Sequence, residues 1–181
     1  NGEKMSKSKG TFITANQFAD VCNPELLRYY YASKLNSKIE DIDLNLEDLA
    51  QKINSDLVGK FSNIFSRSAP FIAKNDNRLT SDFDSEHISK SIQNINEILL
   101  MFESKEFSKA IKLIMEIADD TNRYINEKTP WKLNDQEAAA VATTAINVFK
   151  NLCILLSPIT PNLCSQMLSM LNINEANLQD I

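Results

Sequence analysis

Glycine, histidine and tryptophan are scarce in this chain. Three glycines and five prolines in 181 residues supply too few turn-makers for a sandwich or barrel of many short strands. One histidine, His87, and three cysteines, Cys22, Cys153 and Cys164, with no Cys-x-x-Cys pair, lack the ligand spacing of a zinc site, so no metal site is expected. An odd number of widely spaced cysteines is no disulfide framework either; it reads as free thiols in a reducing cytosol, hence a cytoplasmic protein. No uninterrupted apolar run reaches about 18 residues, so no membrane-spanning helix is expected, and no secretory signal opens the chain. Positive charge is also short. Lys and Arg number 19 against 24 Asp and Glu, a net charge of -5, which is not the footprint of a non-specific nucleic-acid binder. Recognition of unpaired bases by stacking and edge contacts depends less on net charge and stays open.

Apolar residues make up 43% of the chain, enough for a real core and against global disorder. Charge is unevenly placed. Residues 1–38 carry six basic and three acidic side chains, whereas residues 75–181 carry nine and fifteen. The basic excess surrounds Lys4-Met5-Ser6-Lys7-Ser8-Lys9-Gly10. An ammonium acts as a point charge toward phosphate. Several of them, with serine hydroxyls and backbone donors, can follow charge as it moves on a triphosphate. On charge alone the same stretch is a solvated basic tail.

Helix signals fill most of the remainder. Thr14 and Gln17 have capping-box spacing. Asn23, Pro24 and Glu25 start a helix expected to run to about Leu35, with Tyr29-Tyr30-Tyr31 divided between a packed side and a surface. Residues 41–45 alternate acidic and apolar residues, as a short strand or an extended linker does. Asn45 caps a long helix, expected over about 46–68 or further. Ile53, Leu57, Ile64 and Phe71, with Phe61 beside them, share one stripe of it, and Pro70 should kink or end it. Residues 75–85 read as a polar loop. Ile88, Ile92, Ile95, Leu99 and Phe102 mark one amphipathic helix. Phe107, Ile111, Ile114, Ala118 and Ile125 mark the next, ending before Thr129-Pro130. Asn134 and Glu137 start another, with Val141, Ala145, Val148, Leu152 and Leu155 inward and a stop at Pro158. Thr160-Pro161 restart a last helix through Met170. The expected fold class is all-α: an antiparallel helical bundle over 46–181, preceded over 1–45 by a short mixed segment of loop, strand and helix.

Few polar residues stand out. Asn63 and Arg67, four apart, are neighbours on one helix face, beside the apolar stripe and alongside Asp56. Spacing alone makes them an ordinary solvated pair or an amide and a guanidinium offered to a base edge. Trp131, the only tryptophan, follows Pro130 between Lys128 and Lys132, and is either a core anchor or a stacking platform for an unpaired base. His87 reads as a surface helix residue. The acidic pairs Asp119-Asp120 and Asp41/Asp43 read as solvated or capping charges.

Lys4-Met5-Ser6-Lys7-Ser8 resembles the signature loop of class I aminoacyl-tRNA synthetases. The wider set is similar to the methionyl-tRNA synthetase family over most of residues 1–165. It comprises Asn23-Pro24-Glu25-Leu26-Leu27-Arg28-Tyr29-Tyr30-Tyr31, Asp41-Ile42-Asp43-Leu44-Asn45, Asn54-Ser55-Asp56-Leu57-Val58, Asn63-Ile64-Phe65-Ser66-Arg67 and Pro130-Trp131. The resemblance implies a full-length enzyme that attaches methionine to tRNA(Met) using ATP with Mg2+. It implies that Lys4, Met5, Ser6, Lys7 and Ser8 bind ATP, Lys4 and Lys7 in catalytic roles. Asn63 and Arg67 would read the anticodon, and Trp131 would stack on its first base. Residues 1–45 would be the signature loop and stem-contact connector, and 46–181 the anticodon-binding helical bundle. The family's His-x-Gly-His motif cannot occur in a chain with one histidine, and neither a Rossmann glycine loop nor a zinc knuckle is found. The chain is therefore expected to be the carboxyl-side part of a longer enzyme, inactive alone and partnered by its own upstream Rossmann catalytic domain. The alternatives are the related part of another class I synthetase and a non-catalytic helical interaction module.

Overall fold

A computed structural model describes residues 13–181, so Lys4, Met5, Ser6, Lys7 and Ser8 lie outside the described residues. The described residues form α1 (Ala15–Ala19), α2 (Pro24–Ala32), α3 (Leu46–Ile53), α4 (Asn63–Lys74), α5 (Ser85–Ser91), α6 (Ile95–Glu103), α7 (Phe107–Lys128), α8 (Asp135–Leu156) and α9 (Pro161–Met170). A π-helical stretch, Asn54–Ser62, joins α3 to α4, so residues 46–74 are one unbroken helical rod.

The helix starts follow the side-chain chemistry read from the sequence. Thr14 and Gln17 bond each other's backbone N–H, as do Asn134 and Glu137. Asn23 accepts from the Glu25 N–H and Asn45 from the N–H groups of Glu47 and Asp48. Each satisfies donors that the helix itself leaves unpaired.

α8 is the central element. Phe61 and Phe149 pack as tilted rings with centroids 4.8 Å apart, with Phe65 next to Phe149 at 5.7 Å, which fastens α4 and the π segment onto α8. Val141, Ala145, Val148, Leu152 and Leu155 are all buried. α8 has the length and apolarity of a membrane span, with a mean hydropathy of 1.6 over 18 residues, but 83% of that window is buried by the other helices. It is apolar because it is the core. Tyr29 and Tyr30 of α2 belong to the same core; their hydroxyls reach Asp56 at 2.7 Å and Asp48 at 2.8 Å, while Tyr31 stays half-buried. Cys153 and Cys164 are buried free thiols and Cys22 is half-buried. Burial pushes Cys164 up to about 11 and Cys153 higher still.

Several expectations are corrected. Of the two readings of residues 41–45, the strand fails and the extended linker holds: no strand occurs among the described residues, and the Tyr30 hydroxyl lies against the backbone of Asp43 and Asn45. α2 stops at Ala32, three residues short of Leu35, where Ser33 Oγ donates to the Tyr30 carbonyl. The rod does not end at Pro70 but runs on to Lys74. Pro70 and Ser66 are exposed, so water can take the carbonyl that proline leaves without a donor. The expected single helix around 88–102 is two, α5 and α6, separated at 92–94. Asn94 is a poor interior helix residue, and the break buries Ile98 fully while Leu99 is only half-buried.

Candidate nucleic-acid interface

The rod and α7 lie side by side and run the same way, because their polar contacts keep a constant sequence offset. Lys60 Nζ meets Asp119 at 2.6 Å, Asn63 Nδ2 donates to Asn122 Oδ1 at 3.0 Å, and Arg67 Nη2 donates to Asn126 Oδ1 at 2.5 Å, each pair 59 residues apart. The π stretch produces this seam. Hydrogen bonds to i+5 widen the turn, so the phase of α4 differs from the extension of α3. Asp56, expected on the Asn63 face, is therefore elsewhere: it is buried, accepting from Tyr29 and paired with Lys52 Nζ at 2.9 Å. Burial pushes the Asp56 carboxyl up, but the Tyr29, Lys52 and Ser55 hydrogen bonds outweigh it and hold it below the usual carboxylate range. Burial, with Asp56 alongside, drives the Tyr29 phenol far up.

Arg67 is held from two sides. Its Nη1 donates to the Asn122 carbonyl at 3.3 Å and more weakly to Asn122 Oδ1 at 3.4 Å. Its guanidinium carbon lies 5.9 Å from the centre of the Trp131 ring, at the outer limit of a cation–π contact. Burial lowers the Arg67 pKa below its ordinary value, yet a guanidinium remains charged at any physiological pH.

The turn carrying Trp131 is made by Thr129, which ends α7 in the left-handed region at φ 46 and ψ 56. That conformation is a genuine outlier for a β-branched residue. It reverses the chain into the one-turn helix Pro130–Lys132, closed by the Lys132 N–H to the Thr129 carbonyl at 2.9 Å. Pro130 is buried and fixes the turn, while Trp131 is 54% exposed. The indole is thus not a core anchor.

Arg67 and Trp131 meet at one end of the seam, and Asn63, one turn back on the rod, shares Asn122 Oδ1 with Arg67. Asn122 and Asn126, which tie them to α7, were not singled out in the sequence; their i, i+4 spacing in a helix whose core face is Ile111, Ile114, Ala118 and Ile125 was the available signal. The acidic pair divides, Asp119 to Lys60 and Asp120 to Arg123 at 2.8 Å. His87 is half-buried rather than on the surface, with its ring stacked on Tyr124 at 4.2 Å between centroids. Among the described residues no group of three or more His, Cys, Asp or Glu could hold a metal.

Comparison with known proteins agrees with this architecture. Residues 1–69 match the family model of class I (M) tRNA synthetases, and residues 84–179 that of the anticodon-binding domain of tRNA ligases. The chain is 48% identical to the methionine--tRNA ligase of Psychrobacter arcticus, over 97% of the chain and 26% of that protein. It is 45% identical to the methionine--tRNA ligase of Vesicomyosocius okutanii, over 100% of the chain and 34% of that protein. The chain thus spans about a quarter to a third of the curated relatives it matches. In fold it is similar to Mycobacterium tuberculosis methionyl-tRNA synthetase solved with methionyl-adenylate, with a TM-score of 0.78 and 22% identity over 95% of this chain and 36% of that one. The chain belongs to the family of tRNA-ligase anticodon-binding domains, and along nearly its whole length it is similar to methionine--tRNA ligases.

Proposed function

We propose that this chain reads the anticodon of tRNA(Met) for a cytoplasmic enzyme that attaches methionine to that tRNA using ATP. The observation that carries the reading is the meeting of Arg67 with a half-exposed Trp131 beside Asn63. An indole open to solvent offers a stacking surface to a splayed base, and the neighbouring amide and guanidinium offer polar contacts to its edge. The methionine codon AUG makes the matching anticodon CAU.

Lys4, Met5, Ser6, Lys7 and Ser8 would close over ATP and its Mg2+ on an upstream Rossmann domain, with Lys4 and Lys7 following the charge that develops on the departing pyrophosphate. Support for this comes from the family match over residues 1–69. Residues 1–45 act as signature loop and stem-contact connector and 46–181 as the anticodon-binding unit. That boundary is one of function, since Tyr29 and Tyr30 share the bundle's core.

Titration of the chain with a CAU anticodon stem-loop tests the reading. Saturable binding is expected, weakened at least tenfold by Arg67→Ala, with no methionine-dependent pyrophosphate exchange by the chain alone. Binding that is no tighter than to an unrelated hairpin would contradict it.

A further inference from the structure

We infer that Asn122, which need not touch RNA, is a positioning residue that fixes the polarity of Asn63 and so decides which base edge Asn63 accepts; this rests on the anticodon-reading function proposed above. The Nδ2 end of the Asn122 amide is constrained by two groups that can only accept, one on the rod and one on α7. Its Nδ2 donates to the Lys60 carbonyl at 2.9 Å and to the Ala118 carbonyl at 3.0 Å. Turning the amide over would set its oxygen against both carbonyls and lose both bonds. Its Oδ1 must therefore face Asn63 and Arg67.

The constraint passes to the next amide. Because Asn122 presents an oxygen, Asn63 must answer with Nδ2, as it does at 3.0 Å. Asn63 is half-buried, and its own Oδ1 receives no hydrogen bond from the described residues. An Asn left to itself presents donor and acceptor interchangeably by rotating about χ2. Here the order is set: the oxygen is left for a ligand, together with the remaining N–H. That face suits a base edge that places a donor opposite Oδ1, such as an exocyclic amino group, and disfavours a keto oxygen in the same place. Arg67 donates to the same Asn122 oxygen, so both candidate readers are referred to one fixed acceptor. The π segment is part of the device, because the Lys60 carbonyl that locks Asn122 belongs to its last turn.

The test is a discrimination ratio rather than an affinity. Stem-loops with cytosine and with uracil, which differ in amino against keto at C4 and in a bare against a protonated N3, are placed at the first anticodon position and titrated into the 181-residue chain and two variants. Asn122→Asp keeps an acceptor for Asn63 and Arg67 but cannot donate to the Lys60 and Ala118 carbonyls. Asn122→Ala removes the acceptor as well. The cytosine-to-uracil preference should fall about tenfold or more in Asn122→Ala and persist in Asn122→Asp, although both variants melt earlier. Equal retention in both variants, or equal loss in both in step with their melting temperatures, overturns the inference and leaves Asn122 a packing residue. A normal, saturable preference abolished by Asn63→Ala but untouched by Asn122→Ala overturns the inference while leaving the anticodon function standing. Absence of saturable binding by the unsubstituted chain overturns the function, and this inference with it.

Discussion

Glu25 in the first turn of α2 accepts the Leu163 N–H at 2.9 Å and, through its other oxygen, the Asn162 N–H at 2.7 Å. One carboxylate thus caps the start of α9 from 138 residues away, next to Pro161, which has no N–H to cap. Arg28 Nη2 adds a bond to the Pro158 carbonyl at 2.8 Å. The contact locks α2 to the start of α9. Glu25 is only 6% exposed, so Glu25→Ala leaves two donors unpaired at the positive end of a helix and should cost about 2–4 kcal/mol in urea unfolding. Glu25→Gln, with one accepting oxygen, should fall between. A loss below about 0.5 kcal/mol for the alanine variant would show that water replaces the cap.

Acid should weaken the fold through His87. Burial lowers its pKa, outweighing Asp84 and Asp120, which raise it; Lys90 and Lys128 lower it further. The unfolded chain therefore holds the proton more tightly, with an unfolded pKa of about 6.5. The corresponding stability is fully present above that value and is lost as pH falls from there through the lower folded pKa. The urea midpoint should decline from about pH 6.5 downward, and His87→Gln should flatten that decline. An unchanged pH profile in the variant would assign the loss to carboxylates. Glu106, held down by Ser37 and Lys109, and Asp48, held down by Lys34 and Tyr30, act only at lower pH.

Much of this arrangement was legible in the sequence where the signal is local. The Thr14, Asn23, Asn45 and Asn134 caps, the stop at Thr129-Pro130 and the inward face of α8 each depend on residues within a turn or two. The π stretch was not legible, since Ile53, Leu57, Phe61 and Ile64 stay buried in either helix type while the phase of the polar residues changes. That is why Asp56 was expected beside Asn63 and instead meets Tyr29 and Lys52. Glu25 read as a first-turn acid of its own helix; its real role depends on the placement of α9, which no local pattern contains. Asn122 carries no signal beyond its spacing, because its importance comes from the two carbonyls it faces.

Strain at Thr129 should trade against function. Relieving a left-handed, β-branched residue is worth about 1–2 kcal/mol, less the added freedom of glycine. Thr129→Gly should therefore raise stability by up to about 1 kcal/mol and weaken stem-loop binding, because the Trp131 turn loses its fixed direction. Destabilisation by the same substitution would mean that the threonine side chain itself holds the turn.

Removing the indole should separate binding from folding. Trp131→Ala is expected to cost about 1–3 kcal/mol of stem-loop binding, the scale of base–aromatic stacking. With 54% of the residue exposed, the urea midpoint should change little. The salt dependence should also hold, because no phosphate-binding cation is lost. Normal binding with a large loss of stability would return Trp131 to a structural role.

The most direct test uses the fact that Trp131 is the only tryptophan in the chain, so its fluorescence reports this one position. Titration with a CAU stem-loop should quench the emission saturably, with the same dissociation constant as an independent binding measurement, as a base covers the ring. Binding detected by another method with no change in tryptophan emission would mean that the RNA sits elsewhere, and that the meeting of Arg67 and Trp131 beside Asn63 is not the anticodon site.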